Sequence, residues 1–213
     1  MLSYLHETIC LYRYKLMRII YALDCYVCQA GATGSCFSES TETCHASKTN
    51  CASITETHYE GDTLTSTMKR KSCAAQDECV TGSVNIGIAR KTVNTECCST
   101  DLCNTALAPE LPNSSPNGKK CFTCVGNNCT STLECKGSED RCINATESTG
   151  GQAMTTKGCA SQTFCSGSLN AQIESNGVDL NCCEGNLCNN ALRIGQSVLF
   201  LLLVPLASVI LFN

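Results

Sequence analysis

Cysteines recur along this chain in two ordered series, and no other feature limits its possible folds so strongly. The first series is Cys25, Cys28, Cys36, Cys44, Cys51, Cys73, Cys79, Cys97, Cys98 and Cys103. The second is Cys121, Cys124, Cys129, Cys135, Cys142, Cys159, Cys165, Cys182, Cys183 and Cys188. Successive steps are 3, 8, 8, 7, 22, 6, 18, 1, 5 in the first and 3, 5, 6, 7, 17, 6, 17, 1, 5 in the second. Short steps mostly match while long ones vary, which is how a fixed knot with variable loops reads in a repeated sequence. The closing stretches repeat as well: Thr95-Glu-Cys-Cys-Ser-Thr-Asp-Leu-Cys-Asn104 aligns with Leu180-Asn-Cys-Cys-Glu-Gly-Asn-Leu-Cys-Asn189.

With 21 cysteines, no Trp and 5 Phe in 213 residues, the chain lacks the material for an ordinary apolar core. Cross-links supply what burial cannot in units of roughly 70 to 85 residues. Such a density of paired thiols requires an oxidising compartment. The net charge of −4 and a longest basic run of Lys69-Arg70-Lys71 give no nucleic-acid footprint. Between the two series, Pro109, Pro112 and Pro116 stand among Asn, Ser and Gly, a composition that predicts a fairly stiff linker.

The intervals between cysteines are short and strand-like. Ser83–Ala89 alternates aliphatic with small or polar residues, and Arg90–Thr95 continues as an extended segment. Gln172–Glu174 and Gly177–Leu180 fill the matching place in the second unit, with Asn176-Gly177 as the turn between them. Glu60-Gly61-Asp62 reads as a hairpin tip between Ile54–Tyr59 and Thr63–Met68. No helical stripe of useful length occurs, so the expected fold class is all-β, two tandem small disulfide-rich domains.

Each ten-cysteine unit resembles the Ly6/uPAR family of three-finger, snake-toxin-like domains. The resemblance covers about 155 residues. It rests on Leu23-x-Cys25-Tyr26-x-Cys28, on Cys121-Phe122-x-Cys124, and on the endings Cys97-Cys98-x-x-x-x-Cys103-Asn104 and Cys182-Cys183-x-x-x-x-Cys188-Asn189. It implies the pairs Cys25–Cys51, Cys28–Cys36, Cys44–Cys73, Cys79–Cys97 and Cys98–Cys103. In the second unit it implies Cys121–Cys142, Cys124–Cys129, Cys135–Cys159, Cys165–Cys182 and Cys183–Cys188. It also implies a structural role for Asn104 and Asn189, whose side chains would bond the backbone near the start of each domain. The fingers would then span about 26–50, 52–72 and 80–96, and about 122–141, 143–158 and 166–181.

The corresponding layout is a segment 1–22, a first domain 23–105, a linker 106–118, a second domain 119–190 and a C-terminal segment 191–213. Arg13, Lys15 and Arg18 interrupt any apolar run in 1–22, so this is an atypical signal or a misassigned start with cleavage near Ala22. Cys10 falls inside it, and is removed with it or left as a free thiol. After Cys188 come small and polar residues, then Val198–Phe212, apolar except for Ser208. Those are the parts of a glycosylphosphatidylinositol (GPI) anchor signal, with attachment expected at Asn190, or alternatively Asn189. As a helix, 15 residues would reach about 22 Å, short of the roughly 30 Å hydrocarbon core, and Pro205 interrupts them.

Several chemistries compete for the same residues. Cys25-x-x-Cys28 and Cys121-x-x-Cys124 have redox spacing but no βαβ context, so they read as structural half-cystines. His45 and His58 keep no ligand spacing with the cysteines and accompany no nucleophile motif, so they read as surface histidines. No catalytic residue, metal or cofactor is expected. Binding has a physical basis, because a knot carrying long β-loops presents side chains on a rigid support and lowers the ordering cost of association. Candidate contacts are Tyr59, Met68, Lys69, Arg70 and Lys71 in the first domain and Met154 and Phe164 in the second. Phe37 and Phe122, beside cysteines, are expected in the core. Asn113, Asn128 and Asn144 head N-glycosylation sequons, with Asn128, squeezed between two cysteines, the poorest of the three.

The resemblance implies a cell-surface, GPI-anchored receptor or binding protein whose partner is an extracellular or cell-surface protein. The alternative is a secreted protein resembling phospholipase A2 inhibitors or complement regulators. The urokinase receptor has three such domains, the first lacking the bridge that corresponds to Cys79–Cys97, so the resemblance does not extend to urokinase binding.

Overall fold

The computed structural model describes residues 22–31, 34–125, 128–149, 152–166 and 177–190. The segments expected to be a signal (up to residue 21), Cys10, Gln172–Glu174, Asn176 and the anchor signal 191–213 lie outside the described residues.

Six strands build the first domain: β1 (Asp24–Ala30), β2 (Cys36–Thr43), β3 (Asn50–Glu60), β4 (Thr63–Ala74), β5 (Thr81–Asn85) and β6 (Ala89–Cys98). The second contributes β7 (Pro116–Val125), β8 (Asn128–Lys136), β9 (Arg141–Thr149), β10 (Gln152–Ala160) and β11 (Val178–Cys183). Two 3₁₀ turns, Gln76–Glu78 and Gln162–Phe164, are the helical elements among the described residues. Hairpins β1–β2, β3–β4 and β5–β6 are the three fingers of the first domain, and β6 returns to pair with β3. Gly61 turns the second finger at φ +58°, a conformation that favours glycine.

Disulfides fasten the finger bases. Cys25 is bonded to Cys51, Cys28 to Cys36, Cys44 to Cys73, Cys79 to Cys97 and Cys98 to Cys103. In the second domain the pairs are Cys121–Cys142, Cys124–Cys129, Cys135–Cys159, Cys165–Cys182 and Cys183–Cys188. Neighbouring Cys97 and Cys98 tie to different segments because successive residues of a strand point to opposite faces.

The two domains share one sheet. Nine strands run in the order β11-β9-β10-β5-β6-β3-β4-β1-β2, while β7 and β8 pair separately. The seam is the antiparallel pairing of Cys159 with Asn85 and Ala160 with Val84. The stiff linker expected from the prolines therefore runs alongside an edge-to-edge joint between the domains. The spacer itself is packed down. Ala108 is 1% exposed: its N–H donates to Ser53 Oγ (2.8 Å) and its carbonyl accepts from Thr55 Oγ1 (2.5 Å). Asn94 Nδ2 donates to the Pro109 carbonyl at 3.0 Å. From Pro116 the chain is already in β7.

Alternation along β3 gives the shared sheet two unlike faces. The inner face carries Ser53, Thr55, Thr57 and Tyr59, with Thr92 and Asn94 of β6, all buried. It is closed by hydroxyl and amide hydrogen bonds, such as Thr57 Oγ1 to Thr92 Oγ1 at 2.5 Å, rather than by apolar packing. The outer face carries the apolar cluster. Ala52, Ile54 and Val93 continue across the seam into Ile143, Ala160 and Phe164. Phe37, expected in the core, is 59% exposed, because β2 is the sheet edge and the ring lies over the backbone of Gly31.

Candidate binding face

On the outer face, near the tips of the second and third fingers, the first domain holds an open groove of about 620 Å³. Pairing registers set Ser66 (β4), His58 (β3), Lys91 (β6) and Val84 (β5) in one row across four strands. Met68 and Ile86 extend the lining on either side. His58 Nε2 is buried with no hydrogen-bond partner among the described residues. An unsatisfied buried nitrogen of this kind costs about 1–3 kcal/mol, and an incoming partner group can recover it.

Charge enters the groove with Lys91 and continues along its flank. Glu56 accepts from Lys91 Nζ at 2.6 Å and from Arg70 Nη2 at 3.2 Å. Burial acts to raise the Glu56 carboxyl, and the hydrogen bonds and charges of Lys91 and Arg70 outweigh it, holding the group below its ordinary value. Two cations sharing one carboxylate leave this flank with a surplus positive charge.

The seven residues proposed from sequence for contact separate sharply. Met68 (38% exposed) lines the groove, Arg70 lies on its charged flank, and Met154 (70% exposed) stands on the same face of β10 in the second domain. Lys69 is half-buried and reaches Glu110 of the linker at 3.6 Å. The other three are almost wholly buried. Lys71 is 3% exposed; its ammonium bonds Glu39 (2.5 Å) and the Thr105 carbonyl (2.6 Å) and sits over the Tyr26 ring. Tyr59 is 8% exposed beneath the Arg90 guanidinium, and both residues are part of the groove's lining. Phe164 is 7% exposed, turned into the core by the second 3₁₀ turn.

Sequence reasoning missed His58, Lys91, Val84 and Ile86 as a group. The missing signal is register: β3 and β6 are far apart in sequence, and only their pairing sets His58 against Lys91. His45, by contrast, is exposed and bonds Ser47 at 3.0 Å.

The remaining sites are distributed as follows. Asn104 and Asn189 are buried at the finger bases. Asn113 and Asn128 are exposed, and Asn128 Oδ1 accepts from the Thr130 N–H and hydroxyl. Asn144 is half-buried in β9, between β10 and β11, with Oδ1 buried and without a hydrogen-bond partner. Asn190 is exposed at the end of the described chain. Two clusters, Cys25-Cys44-Cys73 and Cys121-Cys135-Cys159, bring three sulfurs within 4.8 Å of one another. Every one of these sulfurs is in a disulfide, and zinc binds thiolates. Among the described residues no helix is long and apolar enough to cross a membrane.

Comparison with known proteins matches two separate stretches of the chain. Residues 21–106 match the u-PAR/Ly-6 domain, and residues 120–189 match the domain of snake toxins and toxin-like proteins. The urokinase plasminogen activator surface receptor of Bos taurus is 34% identical over 110 residues, covering 47% of this chain and 33% of the receptor. That of Rattus norvegicus is 33% identical over 105 residues, 44% of this chain and 32% of the receptor. The alignments thus span about a third of those receptors' length. Phospholipase A2 inhibitor CNF of Crotalus durissus terrificus is 29% identical over 138 residues, 59% of this chain and 68% of the inhibitor.

Proposed function

This chain is a two-domain protein of the Ly6/uPAR family, and from that premise we propose that it is a cell-surface binding protein, GPI-anchored through Asn190, that engages an extracellular protein by its outer sheet face. The observation that carries the reading is the groove lined by Met68, His58 and Val84, held by fingers whose bases are cross-linked. A surface fixed by disulfides loses little conformational freedom on association, so modest contacts suffice for recognition. Exposed methionines on both domains add adaptable apolar contact area.

Binding is tested by presenting the two-domain ectodomain to extracellular fluid and solubilised plasma membranes. A reproducible protein partner whose capture is lost in Met68→Glu, and kept in an exposed control such as Glu134→Ala, supports the reading. Capture indifferent to Met68→Glu, no partner at all, or hydrolysis of a defined substrate overturns it. Anchorage is tested separately: phosphatidylinositol-specific phospholipase C should release the protein from intact cells without residues 198–213.

A second reading, a secreted phospholipase A2 inhibitor, draws on the inhibitor relative, 68% of whose length is matched. Constitutive secretion, together with inhibition of a purified phospholipase A2, would favour it over the anchored receptor.

A further inference from the structure

We propose that the groove of the first domain is a two-domain site, in which Glu139 of the second domain is a positioning residue for its third-finger wall. The inference rests on the binding reading above and specifies which residues shape that site.

The wall is built from β5, the turn after it and the start of β6, which bring Val84, Ile86 and Arg90 to the groove. On its own side, β5 is a five-residue strand paired only with β6. Its other edge is held by β10 of the second domain. Beside β10, β5 stands where β1 stands beside β4 in the first domain. The second domain thus completes its sheet with a strand of the first, and its own first finger pairs apart as β7–β8.

Glu139 is wholly buried and fixes this strand through its side chains. Its Oε1 accepts from Arg90 Nε (2.8 Å) and Ser83 Oγ (2.8 Å), and its Oε2 lies 3.5 Å from Asn85 Nδ2. Oε2 also accepts from the Lys136 N–H at 2.8 Å, which ties the carboxylate to its own domain. Arg90 Nη2 closes the network on Ser83 Oγ at 3.3 Å. Nearer the groove, Thr123 Oγ1 donates to the Ile86 carbonyl at 2.7 Å. The backbones approach so closely that a Cβ on Gly158 would fall 2.0 Å from the Asn85 carbonyl oxygen. Val84, Ile86 and Arg90 are therefore held from both sides, by β6 and β3 of their own domain and by β10, Thr123 and Glu139 of the second.

The test uses the full chain, expressed through the secretory pathway, and needs no ligand, so its failure would leave the binding reading standing. In Glu139→Ala, the amides of Ile86 (bonded to the Ala89 carbonyl) and Gly61 (bonded to the Ile88 carbonyl) should exchange at least tenfold faster by NMR. The His58 ring resonances, inside the groove, should move, while those of His45, outside it, stay in place. The amide of Cys44, bonded to the Leu23 carbonyl in the knot, should keep its protection. Glu139→Gln, which keeps the acceptor and loses the charge, should fall between wild type and Glu139→Ala. If Glu139→Ala is not secreted, Thr123→Val reads the same amide and ring signals with only one hydroxyl removed. Unchanged Ile86 exchange and His58 resonances in the folded variants overturn the proposal.

Discussion

Asn104 grips Tyr26 by both of that residue's backbone groups: the Tyr26 N–H donates to Asn104 Oδ1 at 3.0 Å, and Asn104 Nδ2 donates to the Tyr26 carbonyl at 2.9 Å. The same amide nitrogen donates to the Ala52 carbonyl at 3.0 Å, so one side chain ties the last turn of the domain to its first and third strands. Asn189 repeats the arrangement on Phe122 and Ile143.

Asn104→Asp is isosteric and replaces two donated bonds by a carboxylate facing two carbonyls. Leaving buried partners unsatisfied costs about 1–3 kcal/mol each. The denaturant midpoint of the non-reduced protein should drop by an amount equivalent to about 2–4 kcal/mol. A change within about 0.5 kcal/mol, the range of ordinary surface substitutions, would show that the disulfides alone define the base.

Removing the Cys79–Cys97 bridge by a double serine substitution frees a loop of sequence separation 18. Chain entropy assigns such a loop about 3 kcal/mol. Because Cys79 and Cys97 pack against the outer-face cluster, thermal unfolding should begin in the third finger. Slowed exchange elsewhere with no loss of the midpoint would contradict this.

Acid should loosen the groove's flank. Glu56 and Glu78 both have lowered folded-state values; in each, burial opposes the shift, and Lys91 with Arg70, or Lys48 with the Ala75 N–H, overcomes it. Their stabilisation is complete above the unfolded value of about 4.3 and fades as pH falls through the lower folded value. Glu56→Gln should flatten the decline in stability below about pH 4.3, read by urea midpoints across that range. An unaltered slope would place the acid sensitivity elsewhere.

Glycan occupancy should follow exposure in the folded domain. Asn113→Gln and, against the sequence expectation that Asn128 is the poorest site, Asn128→Gln should each reduce the glycosylated mass by one glycan, because both side chains are exposed. Asn144→Gln should reduce it least, since Asn144 sits half-buried in a strand with neighbours on both sides. Intact mass spectrometry of the three variants ranks them; full occupancy at Asn144 would reverse the order.

Much of the fold was legible because cysteine spacing and turn chemistry are local. Gly61 could be placed at a fingertip from Glu60-Gly61-Asp62 alone. Burial was not legible where it depends on which strand lies alongside. Lys69, Arg70 and Lys71 read as one basic run, yet pleating sends Arg70 to the outer face and Lys71 inward, beneath Glu39 and Tyr26. Lys157 is buried against the Phe122 ring in the same way, and nothing in its neighbourhood of Thr and Gly marks it. Glu139, in the polar stretch Gly137-Ser138-Glu139-Asp140, looks like ordinary turn surface until the first domain's third finger closes over it.

The seam between Asn85 and Cys159 constrains how the two repeats can diverge. Among the pairings that cross it are Gly158 against Asn85, Gly82 against Ser161 and Glu139 against Arg90, each with one member in either repeat. A chimera that joined this first repeat to the second repeat of a relative would inherit one half of each pairing, with a side chain in place of either glycine striking backbone or hydroxyl. Substitutions at these positions must therefore be compensated across the duplication. The heritable unit is the pair of repeats rather than the single ten-cysteine module.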